Sequence, residues 1–212
     1  MSTIEEQYAD GLYSEDADLI RTKKGIAAKG MPDISIADGY GRLLTMLVSL
    51  RGAREVLEIG ALGGYSGICL ARGLASGGRL TSLELKEEYA ETAKAHMEEA
   101  GLGDAVEYRI GDARASLEQL KEEGRKFDFF FIDADKEGYP VYLDYAIELG
   151  NPGAVIIGDN VLLRGRTTNP DKAGPSVLAV RSFNERIASD ERLMSTVLPG
   201  YDGLAIAILK GN

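Results

Sequence analysis

Short apolar runs alternate with longer segments of mixed polarity along most of the chain, from about residue 54 onward. The run at 127–132 is almost continuously apolar, which is typical of a strand buried on both faces of a parallel sheet. The alternation predicts strands over 55–59, 79–83, 105–110, 127–132 and 154–157, and helices over 66–75, 87–100, 116–123, 139–149 and 175–189. Such alternation implies an α/β fold with a doubly wound, mostly parallel sheet and right-handed crossovers.

The two ends of the chain depart from this alternation. Apolar and basic positions at helical spacing predict helices over 14–30 and 35–50, which form an N-terminal helical extension over residues 1–52. At the other end, two apolar runs at 193–198 and 204–209 are joined by a short turn, which predicts an antiparallel hairpin at a sheet edge. We therefore expect one domain over residues 1–212, with a seven-stranded α/β core from residue 53.

Composition and charge narrow the range of partners. Hydrophobic residues make up 44% of the chain, enough for a sizeable core, and the net charge of −10 argues against a nucleic-acid partner. Residues 1–10 lack the apolar core of a signal peptide, and no apolar run approaches the length of a membrane span. We expect a soluble, cytoplasmic protein without a membrane partner. The single cysteine, Cys69, excludes a disulfide framework and is expected to be a small core residue.

The chain is organised around residues 56–67, where an apolar strand breaks into three glycines and then continues as a helix. We call residues 60–64 the glycine turn. Strand, glycine turn and helix form the ligand-binding end of an open α/β sheet, because glycine permits positive φ and close approach of a ligand. Ser66 stands where an N-cap is expected.

The spacing of this turn excludes two common ligand classes. The dinucleotide fingerprint requires glycine at the third and sixth positions from Gly60, where this chain has Leu62 and Tyr65. No Lys-Ser/Thr pair follows, so the phosphate loop is absent as well. The carboxylate of Glu58 inside the strand suits a ligand with hydroxyls or an ammonium group better than a pyrophosphate.

Acidic and amide residues follow the strands at the edge where α/β sheets bind ligands. These residues are Glu58, Glu84, Asp112, Asp133 with Asp135, and Asp159 with Asn160. Glu84 lies 24 residues after Gly60, near the position that commonly binds ribose hydroxyls, and Asp112 would then lie near the base of the same nucleoside.

The last two strand ends predict a different chemistry. Asp133, Asp159 and Asn160 offer three oxygen ligands without His or Cys, which suits a hard cation such as Mg²⁺, Mn²⁺ or Ca²⁺. Lys136 is the candidate base, since a nearby cation and desolvation favour a neutral lysine. His96, the only histidine, lies mid-helix among charged residues and is expected on a solvated face.

With these motifs the chain resembles the class I S-adenosylmethionine (AdoMet) methyltransferases. More narrowly, it resembles the cation-dependent O-methyltransferases typified by caffeoyl-CoA and catechol O-methyltransferases. The resemblance covers residues 31–212. The matching stretches are Val56-Leu57-Glu58-Ile59-Gly60 with Gly64-Tyr65-Ser66, Glu84, Gly111-Asp112-Ala113, Phe131-Ile132-Asp133-Ala134-Asp135-Lys136 and Gly158-Asp159-Asn160-Val161-Leu162. The Asp-Ala-Asp-Lys and Gly-Asp-Asn pair is specific to the cation-dependent branch.

The resemblance implies a Rossmann-like methyltransferase fold, a homodimer, a small phenolic acceptor and a divalent cation, with Mg²⁺ favoured over Mn²⁺ and Ca²⁺. It implies that AdoMet is bound by Met31, Glu58, Gly60, Gly64, Tyr65, Ser66, Glu84, Asp112, Ala113 and Asp133. The cation would be held by Asp133, Asp159 and Asn160, with Lys136 as the general base. The reaction implied is methylation of one hydroxyl of a vicinal diphenol.

Two stretches leave the acceptor open. Bacterial relatives often carry Ser-Pro-Glu-x-Gly where this chain has Ser35-Ile36-Ala37-Asp38-Gly39, in a region that borders substrate and cofactor. The connection 164–172 carries three basic residues that suit an anionic acceptor such as a CoA ester, or a solvated loop equally well. An AdoMet methyltransferase with a non-catechol acceptor is the first alternative, and a nicotinamide-dependent oxidoreductase is a more distant one. Met31 and Tyr201 are candidates for an apolar wall beside the acceptor.

Overall fold

The computed structural model describes residues 3–211 and consists of a seven-stranded sheet with eight α-helices. The helices are α1 (Ile4–Gly11), α2 (Ala17–Ala28), α3 (Asp38–Arg51), α4 (Tyr65–Arg72), α5 (Glu87–Glu99), α6 (Ala113–Glu122), α7 (Tyr139–Leu149) and α8 (Pro175–Ser189). The strands are β1 (Glu55–Ile59), β2 (Arg79–Glu84), β3 (Val106–Ile110), β4 (Phe127–Ile132), β5 (Gly150–Asp159), β6 (Leu193–Leu198) and β7 (Leu204–Leu209).

The strand order is β3-β2-β1-β4-β5-β7-β6. The pairs β1–β2, β2–β3 and β4–β5 are parallel, whereas β7 is antiparallel to both β5 and β6. The prediction of a doubly wound, mostly parallel sheet that ends in an antiparallel hairpin is confirmed. This topology places the carboxyl ends of β1, β2 and β3 along one edge, and it places those of β4 and β5 side by side.

Residues up to Ser116 form one compact unit. Its core is aliphatic, and Leu44, Val48, Leu57, Ile68 and Leu80 are fully buried. α3 ends at Gly52, whose φ of 62° is a conformation that glycine adopts without strain. The helices of the N-terminal extension therefore belong to the same unit as the glycine turn.

Residues from Leu117 onward form a second compact unit with an aromatic core. Phe127, Phe129, Phe130 and Phe131 on β4 are all fully buried. Side chains point alternately to the two faces of a strand, so burial at consecutive positions means that both faces of β4 are covered. The interpretation of 127–132 as a central strand is confirmed.

Several element boundaries differ from the predictions. α1 was not predicted, although Thr3 and Glu6 form a capping box that starts it, with reciprocal bonds between each backbone N–H and the other side chain. β5 covers ten residues rather than the predicted four, because its first half pairs through the irregular segment around Pro152. The helix predicted over 14–30 is shorter and begins after Asp16, whose carboxylate accepts from the N–H groups of Asp18 and Leu19.

Cys69 on α4 is buried, as its sequence context predicts. Burial raises the pKa of its thiol to about 12, so the neutral form is the one present near neutral pH. Within residues 3–211, no helix has both the length and the apolar character needed to cross a membrane.

Candidate active site

The glycine turn has the conformation that its glycines were expected to permit. Gly60 has a φ of 100° and Gly64 a φ of 87°, both in the region that side chains with a Cβ rarely adopt. Gly64 is the residue that caps α4, and no side chain contributes to this cap. The prediction that Ser66 is the N-cap is therefore wrong, because Ser66 is already the second residue of the helix.

Ser66 instead holds the carboxylate of Glu58. Its hydroxyl donates to Glu58 Oε1 at 2.5 Å, and the hydroxyl of Ser82 on β2 donates to Oε2 at 2.5 Å. Glu58 is only 1% exposed, so these hydroxyls replace water around the charge. The two hydroxyls therefore fix the orientation of this carboxylate at the end of β1.

Glu84, at the end of β2, accepts hydrogen bonds from the backbone of the glycine turn. Its Oε2 accepts from the N–H of Ala61 at 3.2 Å and from that of Leu62 at 2.9 Å. Its Oε1 accepts from the N–H of Lys86 at 3.0 Å. Leu62 has a φ of 46°, which is unfavourable for leucine and is stabilised here by the carboxylate. Sequence reasoning predicted a ribose ligand and missed this role in shaping the turn.

Tyr65 begins α4 and connects the turn to the N-terminal helices. Its hydroxyl donates to Asp38 Oδ1 at 2.7 Å, and Lys23 Nζ donates to the same oxygen at 2.5 Å. Burial raises the pKa of Tyr65, and the hydrogen bond to Asp38 raises it further, so the phenol stays protonated. Asp38 therefore binds both Tyr65 and Lys23 within this unit.

Three other predicted cofactor residues lie in the same unit. Asp112 is exposed, and its Oδ1 accepts from the N–H groups of Arg114 and Ala115 at 2.8 and 3.2 Å, which caps α6 and starts it at Ala113. Met31 is 8% exposed and lines a cavity of about 560 Å³ between α2 and α5.

We call Glu58, Ser66, Ser82, Glu84 and the glycine turn the turn cluster.

His96 contradicts its prediction. It is 8% exposed rather than solvated, and its Nδ1 lies 2.8 Å from the carbonyl oxygen of Gly63. A carbonyl oxygen only accepts, so Nδ1 carries the hydrogen and donates it to the glycine turn. A signal was present in the sequence, because His96 falls at helical spacing from Thr92 and Ala93, which share the buried face of α5.

The C-terminal unit brings together the residues predicted to hold a cation and a proton. Lys136 Nζ donates to Asp133 Oδ1 at 3.0 Å, to the carbonyl oxygen of Asp159 at 3.2 Å and to Asn160 Oδ1 at 3.5 Å. It also donates to the hydroxyl of Tyr139, which sequence reasoning did not single out. We call Asp133, Lys136, Tyr139, Asp159 and Asn160 the acid–lysine cluster.

The carboxylate of Asp159 is buried at 2% exposure, unlike that of Asp133. Burial and then the nearby charge of Asp133 raise the pKa of Asp159 to about 8, against the opposing effects of the Asn160 N–H at 2.8 Å and of Lys136. Asn160 has a φ of 56°, a left-handed conformation that asparagine tolerates better than most residues. Burial and the neighbouring Asp133 therefore favour the protonated form of Asp159 near neutral pH.

Two further residues of this region have structural roles that the sequence did not reveal. Asp135, the second acid of the Asp-Ala-Asp-Lys motif, accepts from the Gly138 N–H at 2.9 Å and from the Tyr142 hydroxyl at 2.5 Å. The buried hydroxyl of Tyr139 lies 2.8 Å from the carbonyl oxygen of Asp159 and 3.1 Å from that of Ile132. Tyr139 thus links the ends of β4 and β5, because it contacts both backbones.

The donor set fits a hard cation. Asp133, Asp159 and Asn160 supply only oxygen atoms, and the oxygens nearest Lys136 already gather around a positive charge. In the part of the chain that the structure describes, no three His, Cys, Asp or Glu side chains are grouped to hold a metal ion. The predicted ligand set contains two carboxylates, and its third ligand is the amide of Asn160. This ligand set stays a prediction.

The basic connection after β5 is anchored rather than loose. Arg181 on α8 donates from Nε to the carbonyl oxygen of Thr167 at 2.9 Å and from Nη2 to that of Asn169 at 2.5 Å. Arg166 donates to the carbonyl oxygen of Leu163 at 3.0 Å, whereas the Arg164 side chain is exposed. The prediction of a basic surface for an anionic acceptor stays open, as does the role of Tyr201, which has a φ of 47° in the turn before β7.

The geometry agrees with the comparisons to known proteins. A family model described as O-methyltransferase matches residues 12–210. A catechol O-methyltransferase of Niastella koreensis is 37% identical over 98% of this chain and 97% of its own length, and one of Mycobacterium tuberculosis is 37% identical over 94% and 91%. The crystal structure of an O-methyltransferase of Bacillus cereus in complex with SAH is 43% identical, with a TM-score of 0.92 over 98% of both chains.

The match extends across both compact units and contains the turn cluster and the acid–lysine cluster. The resemblance that the glycine turn and the two acidic motifs carry is thereby confirmed at the level of the family. The homodimer and the individual site residues stay predictions. The chain belongs to the O-methyltransferase family.

Proposed function

We propose that this enzyme transfers a methyl group from AdoMet to one hydroxyl of a small catechol-type acceptor, with the help of a divalent cation. The observation that carries the proposal is the acid–lysine cluster, in which the Asp133 carboxylate, the Asp159 carbonyl oxygen and the Asn160 amide oxygen surround Lys136. The buried carboxyl group of Asp159 is influenced by the charges of Asp133 and Lys136. Relatives named catechol O-methyltransferase support the acceptor class, and the relative crystallised with SAH supports the cofactor. We expect the enzyme to act in the cytoplasm as a homodimer.

The turn cluster supplies the groups that AdoMet requires. The carboxylate of Glu58, held by two hydroxyls, suits the ammonium group of the methionine part. Glu84 keeps lone pairs for the ribose hydroxyls beyond those that the glycine turn occupies. The glycines leave the backbone accessible to the ligand, and Asp112 at the next strand end would border the adenine.

The acid–lysine cluster supplies the groups that a vicinal diol requires. Asp133, Asp159 and Asn160 would hold a divalent cation, with Mg²⁺ favoured, whose charge lowers the pKa of an acceptor hydroxyl when it is bound. Lys136 Nζ, once it has released one proton, accepts the proton of that hydroxyl. Tyr139 and the carbonyl oxygen of Asp159 orient Nζ, because both contact it.

The chemical step is a displacement at carbon. The acceptor oxygen forms a bond to the methyl carbon, the sulfur–methyl bond breaks, and the electron pair stays on sulfur to give S-adenosylhomocysteine. The proton of the hydroxyl remains on Lys136. The protein contributes chiefly by holding the two reactants in line, which removes most of the entropic cost of a bimolecular reaction.

The test is product formation with AdoMet and a panel of phenols, in Mg²⁺ and in EDTA. The panel contains caffeoyl-CoA, caffeate and 3,4-dihydroxybenzoate beside matched monophenols. We expect methylation of the diols only, and its loss in EDTA. Methylation that survives EDTA would contradict the cation role of Asp133, Asp159 and Asn160. Methylation of a monophenol instead would support the non-catechol alternative.

A further inference from the structure

α2 and α5 pack so closely against the glycine turn that residues 63 and 64 have no room for a side chain. A Cβ on Gly63 would lie 2.3 Å from Ile26 Cγ1 of α2, and one on Gly64 would lie 3.1 Å from the backbone of Ala93 on α5. Glycine at these two positions therefore serves the packing of α2 and α5, besides the ligand. The turn is enclosed by these helices on the side of residues 63–64.

His96 lies between the two helices and contacts both α2 and the turn. Its Nδ1–H donates to the Gly63 carbonyl oxygen at 2.8 Å. The opposite edge of the ring packs on Gly25 of α2, where a Cβ would lie 2.1 Å from Nε2 and 2.7 Å from Cε1. The absence of a side chain at Gly25 is thus what makes room for the ring.

The backbone of the glycine turn is therefore hydrogen-bonded to side chains through both its N–H groups and a carbonyl oxygen. Glu84 accepts from the N–H groups of Ala61 and Leu62, whereas His96 donates to the carbonyl of Gly63. These bonds fix three consecutive residues of the segment that the cofactor would contact. A site whose backbone is ordered before binding loses less conformational entropy when the ligand arrives.

We propose that His96 is a positioning residue of the cofactor site, which fixes the glycine turn through the Gly63 carbonyl and is itself kept in place by Gly25. This inference rests on the proposed function, in which the turn binds AdoMet. His96 acts through the Gly63 carbonyl rather than on the methyl group. Its loss therefore weakens cofactor binding and leaves the chemical step largely intact.

Two substitutions of His96 separate the hydrogen bond from the bulk of the ring. His96→Asn keeps a donor, because the asparagine Nδ2 occupies nearly the position of the histidine Nδ1. His96→Leu fills similar space and has no donor. We expect the Leu variant to raise the dissociation constant for S-adenosylhomocysteine about tenfold, as for a carbonyl left without its partner, and the Asn variant to stay within about threefold of wild type. The kcat at saturating AdoMet should change less than about twofold in both variants.

Gly25→Ala tests the other edge of the ring. In the wild-type background its methyl group collides with the imidazole, so the melting temperature should fall and the dissociation constant should rise. In the His96→Asn background the colliding atoms are gone, and alanine is the better residue in the interior of α2, so the melting temperature should rise by about 3 °C. This reversal of sign is the result expected only if the ring and Gly25 are in contact.

The measurements are calorimetric titration with S-adenosylhomocysteine, thermal unfolding and steady-state kinetics on the full chain, with Glu84→Gln as the reference variant. Weaker binding for Glu84→Gln and His96→Leu, with recovery in His96→Asn, supports the inference. Weaker binding for Glu84→Gln alone would overturn the role of His96 and leave the cofactor site standing. Unchanged binding in both would overturn the proposed cofactor site itself. If His96→Leu does not fold, equal effects of Gly25→Ala in both backgrounds would still refute the contact.

Discussion

The turn cluster and the acid–lysine cluster both place two carboxylates at adjacent strand ends, but they compensate the charge in different ways. Glu58 accepts from the hydroxyls of Ser66 and Ser82, and Glu84 accepts from backbone N–H groups. Asp133 is paired with the cation of Lys136, and the pKa of buried Asp159 is raised to about 8. The first cluster therefore orients its carboxylates with neutral donors, whereas in the second the charged form of Asp159 is disfavoured unless a further positive charge lies nearby.

The turn cluster therefore differs from the acid–lysine cluster in the kind of ligand that its carboxylates favour. Neutral donors fix the orientation of a carboxylate without cancelling its charge, so the turn cluster can select a ligand with hydroxyl and ammonium groups. Carboxylates that repel one another in a buried place gain most from a cation. We therefore expect substitutions in the two clusters to affect different steps.

The largest effect is expected for Lys136→Met, which removes the proposed base. The kcat should fall about 10²- to 10⁴-fold, the range typical of general acid–base catalysis, while binding of S-adenosylhomocysteine is retained. Steady-state kinetics and calorimetry check the two parts, with Lys172→Met in the basic connection as the control. A kcat near that of the control would exclude Lys136 as the base.

A smaller effect is expected for Asp159→Asn, which keeps the shape of the side chain and removes its charge. The concentration of Mg²⁺ needed for half-maximal activity should rise at least about tenfold, because hard cations prefer carboxylate to amide oxygen. Titration of activity with Mg²⁺ measures this, and Asp171→Asn controls for a change in net charge. An unchanged Mg²⁺ requirement would remove Asp159 from the ligand set.

Glu84→Gln should weaken the binding of S-adenosylhomocysteine, and added Mg²⁺ should not restore this binding. Gln retains one acceptor but loses the charge that binds the N–H groups of Ala61 and Leu62. The dissociation constant for S-adenosylhomocysteine should rise about tenfold, with the Mg²⁺ requirement unchanged. If the Mg²⁺ requirement changed instead, the two clusters would not act on separate steps.

The smallest effect is expected from modification of Cys69, on the helix that follows the glycine turn. Burial raises the pKa of this thiol to about 12, and the folded state therefore disfavours the thiolate; this costs stability only as the pH rises above the ordinary thiol pKa. At about pH 8 iodoacetamide should label the native protein far more slowly than the unfolded protein, and activity should persist. Rapid labelling with loss of activity would show that the region behind the turn cluster is open to solvent.

The fold was predictable to the extent that it depends on local patterns. The bounds of β1, β4, α7, α8, β6 and β7 agree with the predictions, because each has a strong apolar pattern and a clear turn residue at its ends. α1 was missed since none of its side chains is buried, and its only signal was the capping box of Thr3 and Glu6. β5 was predicted too short because Pro152 and Gly153 look like a turn in the sequence.

The candidate site was predictable in its residue types and not in its contacts. The order of the acidic residues along the chain placed them at strand ends, and the parallel strands bring their carboxyl ends together within each unit. The hydrogen bonds that Ser66, Glu84, Tyr139 and His96 make to Glu58, Ala61, Asp159 and Gly63 connect different elements and span 8, 23, 20 and 33 residues of the chain. No periodicity encodes such pairs.

The sequence by itself determined the sheet, the glycine turn and the two sets of acids, because these follow from polarity, glycine conformation and strand order. Only the tertiary structure decided which side of α5 is buried, and with it that His96 contacts Gly63 and Gly25. The physical reason is that burial of a polar residue depends on a partner supplied by another element. A histidine flanked by charged residues is compatible with solvent until α2 and the glycine turn supply the space and the acceptor that hold it.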